Sequence, residues 1–145
     1  QRFRRPGLGH FWEKCLQMRQ RRFRQLAVSG QLAAEHRKQR RLAWVVNGKI
    51  QDTMSVRFGS ELTPTRNGVF SVYWKSRNHV SKLYDTAMPY ALFFSGGQAV
   101  HYSPGFHRDG YNGASLGCVN VRVYRDAREI YQSSPIGTTV YVYRS

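Results

Sequence analysis

The chain has 145 residues, 41% of them hydrophobic and 14% aromatic, enough for one domain with a buried core and too apolar for a wholly disordered chain. No run approaches the roughly 18 consecutive apolar residues of a membrane-spanning helix. The formal charge of +15 is uneven, with 12 Lys and Arg against two Glu in the first 41 residues, so this stretch favours polyanions through counterion release, whether nucleic acid, anionic lipid or an acidic wall polymer. There is no initiator Met and no basic segment leading into an apolar one; the chain therefore reads as a mature or a trimmed form, in which a removed signal peptide would not be visible.

Residues 1–9, with Pro6, Gly7 and Gly9, read as a loose tail. Residues 10–41 are rich in Gln, Arg, Leu and Ala, and Phe11, Cys15, Met18, Arg22 and Leu26 recur at helical spacing. This predicts one or two basic amphipathic helices. The organisation expected is a basic helical extension over 1–40 and a folded domain over 41–145. From Leu42 the period becomes two. LAWVV, then Asn47-Gly48, then KIQDTMSV predicts a hairpin, because Asn-Gly accepts the positive φ values of a type I′ turn. Strands are further predicted at 69–74, 89–94 and 98–103, a short helix near 125–132, and a closing strand in TTVYVY. The fold class expected is mostly β, with one short helix.

The segment that carries chemistry is HYSPGFHRDGYNGASLGCVNV, residues 101–121. A predicted strand delivers His101, a Gly-rich loop follows, and Cys118 ends it. A thiol and an imidazole brought together across such a loop have the parts of nucleophilic catalysis, the imidazole drawing the thiol pKa down. Gly117 allows a tight turn, so that N–H groups beside Cys118 face a developing oxyanion. His107 competes with His101 as the base, but a strand holds a residue more firmly than a loop does. The spacing of Cys15 and Cys118 offers no metal site. A disulfide between them would consume the nucleophile and is not expected.

SLGCVN, with His101 seventeen positions before its Cys, resembles the Ser-His-Gly-Cys motif of the L,D-transpeptidase (YkuD) family. Thr63-Pro64 through Gly68-Val69-Phe70 is similar to that family's Thr-Pro-x-Gly-x-Phe element. MPYALFFSGG resembles the stretch before the catalytic His of actinobacterial members, and PIGTTVYVY the last strand. The likeness covers about residues 40–145 and implies a YkuD-like β-sandwich or barrel. It implies a cysteine acyltransferase that joins peptidoglycan stem peptides through a Cys118 thioester, with His101 as base and no cofactor. The Tyr102 carbonyl would orient the imidazole, Gly117 and Cys118 would form the oxyanion hole, Asn120 would hold the donor stem and Ser115 would support the loop. Met88 and Tyr111 are further candidates for contact with the substrate. The resemblance further implies an extracytoplasmic, wall-associated protein inhibited by carbapenem-type β-lactams.

Two positions depart from the family pattern: Leu116 stands where a His is usual, and Tyr102 where Gly or Ser is common. Loss of that His leaves three alternatives open: an L,D-transpeptidase, an L,D-carboxypeptidase using water, or a weakened wall-binding module. A sortase-like site fits less well, leaving Thr63-Pro64 and MPYALFF unexplained. A nucleic-acid-binding protein is disfavoured by the absence of a recognisable module, and the basic segment reads as a solvated face or as a tether to anionic wall polymer.

Overall fold

The computed structural model describes residues 30–35 and 40–144. Within them nine strands form one sheet, from β1 (Gly30–Glu35), β2 (Arg41–Val46) and β3 (Lys49–Arg57) to β4 (Gly68–Ser71), β5 (Trp74–Ser81) and β6 (Thr86–Ser95). After β7 (Gln98–Tyr102) come α1 (Pro104–Asp109), β8 (Val119–Val121), α2 (Tyr124–Ser133) and β9 (Thr139–Tyr143). The spatial order is β4-β9-β1-β2-β3-β8-β7-β6-β5. Pairing is antiparallel except for β1 with β9 and β7 with β8. Strand β3 is the hinge of the curl: its first residues pair with β2, while Val56 and Arg57 pair with Val121 and Asn120 of β8.

The predicted hairpin is present, with Asn47 at φ 52° and Gly48 at φ 77° between β2 and β3, the left-handed pair a type I′ turn needs. Alternation then sorts side chains onto two faces. Leu32, Val56, Leu92, Val100, Val119, Val121, Val140 and Val142 share one core cluster with Ala127 and Ile130 of α2. Since both ends of the sheet supply this cluster, the sheet curls around it, and the Phe70 and Phe94 rings meet at 5.3 Å across the open side.

The structure departs from the sequence reading in four places. GQLAAE, within the stretch expected to be helical, is strand β1, where Leu32, Ala33 and Ala34 are fully buried between β2 and β9. Tertiary pairing overrides the helix propensity of Leu and Ala there. The helices expected over the preceding residues lie outside the described residues. The run 69–74 divides into β4 and β5 at Val72–Tyr73, with β5 continuing to Ser81 past the expected strand, and β8, only three residues long, carries no periodic signal. The Gly-rich loop contains a second helix, α1, started by Ser103, whose Oγ accepts from the Phe106 N–H at 3.1 Å, with Pro104 next. Both are N-terminal signals of a helix.

Helix α2 falls where its apolar face predicted, with Ala127 and Ile130 buried. Replacing Ile130 with Ala should lower the unfolding free energy by about 2–5 kcal/mol in a urea titration. The exposed neighbour Arg128→Ala should change it by less than about 0.5 kcal/mol.

Candidate active site

The parallel register of β7 and β8 sets Val100 beside Val119, His101 beside Asn120 and Tyr102 beside Val121. In-register side chains of neighbouring strands point the same way, and alternate residues along a strand share a face. Val100, Val119 and Val121 therefore enter the core, while Ala99, His101, Cys118 and Asn120 turn to the other face. There Cys118 packs on Met88, Ala91, Phe93 and Ala99. Met88 reaches this face because Tyr90, at φ 56°, re-phases the alternation of β6. A left-handed Tyr costs about 1–2 kcal/mol, and nothing in the sequence signals it.

A cleft of about 630 Å³ opens over this face. Of the residues singled out from sequence, His101, Cys118, Asn120, Ser115, Leu116 and Met88 line it. Tyr111 does not: its ring packs edge-on against Phe106 at 5.1 Å and under the Arg40 guanidinium at 3.9 Å. His107 is exposed on α1, its Nδ1 3.3 Å from the Arg122 carbonyl, and lies off the cleft. Leu116 is 54% exposed at the rim. Sequence reasoning missed Arg57, Arg66, His79 and Lys82, which also line the cleft. His79 is paired with Met88 across β5 and β6 and packs edge-on against the stacked Trp74 and Phe93 rings at 5.3 and 4.9 Å. No Asp or Glu is among the described lining residues, so the cleft favours anionic ligands.

His101 Nδ1 lies 2.5 Å from the Tyr102 carbonyl oxygen. A carbonyl can only accept, so Nδ1 carries the proton and Nε2 of the neutral ring keeps its lone pair. Burial pushes His101 down to about 4; the Tyr102 bond opposes this, and the positive fields of His79 and Arg57 add to it. At Nε2 the Asn120 amide stands at 3.2 Å, and only its N–H can satisfy a bare nitrogen there. The Cys118 sulfur accepts from the Ala99 N–H at 3.4 Å and faces the Gly97 carbonyl at 3.9 Å. Burial raises the thiol pKa above 9.0, against the lowering effect of the Ala99 N–H. The expectation that the imidazole draws the thiol down is therefore not met in the resting site. Both groups are neutral near pH 7.

The loop before Cys118 is fixed by Ser115. Its Oγ donates to the Cys118 carbonyl at 2.5 Å and accepts from the Gly117 N–H at 3.1 Å. Its own N–H reaches the Phe58 carbonyl at 3.0 Å. Gly117 adopts φ 122°, and a Cβ there would stand 2.8 Å from the Gln98 amide nitrogen, so no larger residue fits without strain. The Gly117 N–H, expected in an oxyanion hole, is thus already engaged by Ser115.

The His101 geometry makes stability pH-dependent. Its folded pKa, about 4, lies below the ordinary 6.5, so the unfolded chain takes up the proton first. The contribution is complete above pH 6.5 and is lost as pH falls towards 4, amounting to about 3 kcal/mol. Urea titrations over this range should show that loss in the wild type and a flatter profile in His101→Gln.

Residues 32–142 match the family description YkuD, L,D-transpeptidase catalytic domain. An L,D-transpeptidase from Stackebrandtia nassauensis superposes with a TM-score of 0.72 at 25% identity, over 91% of this chain and 66% of that one. One from Mycobacterium smegmatis gives 0.70 at 22% identity, over 79% and 58%. The L,D-transpeptidase LdtMt1, solved in complex with imipenem, gives 0.72 at 22% identity, over 79% and 59%. The chain thus spans 58–66% of the length of these three solved structures. No curated protein matches the chain significantly. With the family pattern spanning the sheet from β1 to β9, the chain belongs to the YkuD family of L,D-transpeptidase catalytic domains.

Proposed function

We propose that the chain is a peptidoglycan L,D-transpeptidase in which Cys118 is the nucleophile and His101 its base. The observation that carries this reading is that a thiol and an imidazole with a bare Nε2 line one cleft. The cationic lining supports an acidic peptide as donor. Cys118 Sγ attacks the carbonyl of the third stem residue while its proton passes to His101 Nε2. Because both groups rest neutral, this transfer accompanies the attack and no ion pair precedes it. The tetrahedral oxyanion is assigned to the Cys118 N–H, with Ser115 keeping the loop in place. Collapse breaks the C–N bond, and the departing D-Ala amine takes the proton from Nε2. An amine of a neighbouring stem then attacks the thioester, gives its proton to Nε2, and Cys118 leaves as the thiol.

Transfer to water at the same site would make the chain an L,D-carboxypeptidase, and the products separate the two: a cross-linked dimer or a free tripeptide. Asn120 and Met88, which both line the cleft, are proposed as donor contacts. Leu116 presents an apolar surface at the rim in place of a polar one, which bears on the acceptor and on the rate. The wall or periplasm is the compartment in which this substrate is found. The basic residues ahead of β1 are proposed as a tether to anionic wall polymer; the rest of the segment expected to be an extension belongs to the sheet.

Cys118→Ala should abolish turnover of a stem tetrapeptide with the fold intact by circular dichroism. His101→Ala should lower it by about two orders of magnitude or more, because nucleophile and base act as a unit. Wild-type turnover in either variant would refute the assignment.

A further inference from the structure

Arg57, Asn120 and His101 occupy one row across three strands: Arg57 pairs with Asn120 between β3 and β8, and Asn120 with His101 between β8 and β7. Hydrogen bonds run along that row without a break. The Arg57 Nε–H donates to Asn120 Oδ1 at 3.1 Å, the Asn120 amide donates to His101 Nε2 at 3.2 Å, and His101 Nδ1 donates to the Tyr102 carbonyl at 2.5 Å. The two ends fix every direction in between. A guanidinium can only donate and a carbonyl can only accept, so the amide must present its oxygen to Arg57 and its N–H to the imidazole.

We infer that Arg57 is a positioning residue for His101, acting through Asn120 to hold the base as the neutral ring protonated at Nδ1. The inference deepens the proposed function and rests on His101 being the base. Arg57 is itself well placed for the task. It is 9% exposed, and its second nitrogen, Nη1, donates to the Gly110 carbonyl at 3.2 Å. Its guanidinium lies 5.3 Å from the Phe106 ring centre. A Cβ on Gly113 would approach Nη1 to 3.2 Å, so the Gly-rich loop leaves the room that this cation fills. Two anchored prongs in a fixed fork hold an amide more firmly than a single flexible ammonium does.

The row has two consequences. With the Asn120 N–H on its lone pair, His101 Nε2 is shielded from stray protons, and it becomes free for the thiol when a donor peptide draws that amide away. The Arg57 charge also opposes the imidazolium. The groups facing His101 are the Tyr102 carbonyl on β7, Asn120 on β8, Arg57 on β3, His79 on β5 and the neutral Cys118 thiol; Arg57 in turn faces Asp109 and Arg108 at the end of α1. Among the described residues no carboxylate lines the cleft to offset the Arg57 field at the imidazole.

The test titrates the His101 ring nitrogens by NMR in the substrate-free protein, alongside the pH profile of Cys118 acylation by a carbapenem. In wild type the ring should titrate near 4. Arg57→Gln removes the charge and should move both the titration and the acid limb of acylation upward, towards the ordinary histidine value. Arg57→Lys keeps the charge and loses the fork; its titration should stay close to wild type while acylation slows roughly tenfold at every pH. A structural role alone would lower rates without moving the acid limb. The inference is overturned if Arg57→Gln folds and leaves the His101 titration in place, or if Arg57→Lys acylates at the wild-type rate. Should Arg57→Gln not fold, the Arg57→Lys rate decides. Because the ring titration needs no substrate, a wild-type Cys118 that never acylates would sink the proposed function separately from this inference.

Discussion

The site depends on one pairing, the parallel contact of β7 with β8. Three residue pairs make it, and each has a separate consequence. Val100 beside Val119 ties both strands into the core, His101 beside Asn120 sets the imidazole against its amide partner, and Tyr102 beside Val121 places the carbonyl that His101 meets; one position before the first pair, Ala99 reaches the Cys118 sulfur. A slip of one residue would exchange the faces and bury His101 and Asn120 among valines. The register is therefore held by the same apolar burial that stabilises the fold, and the loop between the strands has only to deliver Cys118. Helix α1 and the Ser115 bonds shorten and stiffen that loop.

Electrostatics then decide how the site works. Parallel strands buried on their core side leave the other face to a cleft lined by cations and without carboxylates among the described residues. In this setting an imidazolium is doubly disfavoured, by lost hydration and by the Arg57 and His79 fields. A thiolate is disfavoured by burial despite the Ala99 N–H. A preformed ion pair is the usual way to activate a cysteine; here the resting pair is neutral, and the backbone carbonyl of Tyr102 takes the orienting role that a carboxylate has in a triad. An uncharged acceptor orients the ring without stabilising the imidazolium as a carboxylate would, which suits the proposed role of a base that returns its proton to the leaving amine.

Local signals made much of this legible in the sequence. Asn47-Gly48, the alternation in TTVYVY and the apolar face of 125–132 each depend on nearby residues only, and each element stands where it was read. The His-loop-Cys order and its family likeness pointed to residues that do share a cleft. What stayed hidden is non-local. Strand β1 exists because β2 and β9 flank it, and β8 because β3 and β7 do. Arg57 and His79 belong to the cleft only through the registers of β3 with β8 and β5 with β6. Tyr111 read as a loop residue near the substrate, but a helical turn carries its ring onto Phe106.

Leu116 is the position at which this chain differs most pointedly from its family pattern, and the structure gives it a place without tying it into the hydrogen-bond row: it is exposed at the rim, while Arg57, Asn120, His101 and Tyr102 connect beneath it. In the proposed mechanism the chemistry resides in that row and in the Cys118 thiol that shares its cleft. The most direct measurement is the intact mass of the protein after exposure to a carbapenem. A single adduct mapped to Cys118 is expected, its formation rising with pH through the His101 titration, absent in Cys118→Ala and strongly slowed in His101→Ala. A Cys118 that a generic alkylating agent reaches but a carbapenem does not, or an adduct confined to Cys15, would contradict it.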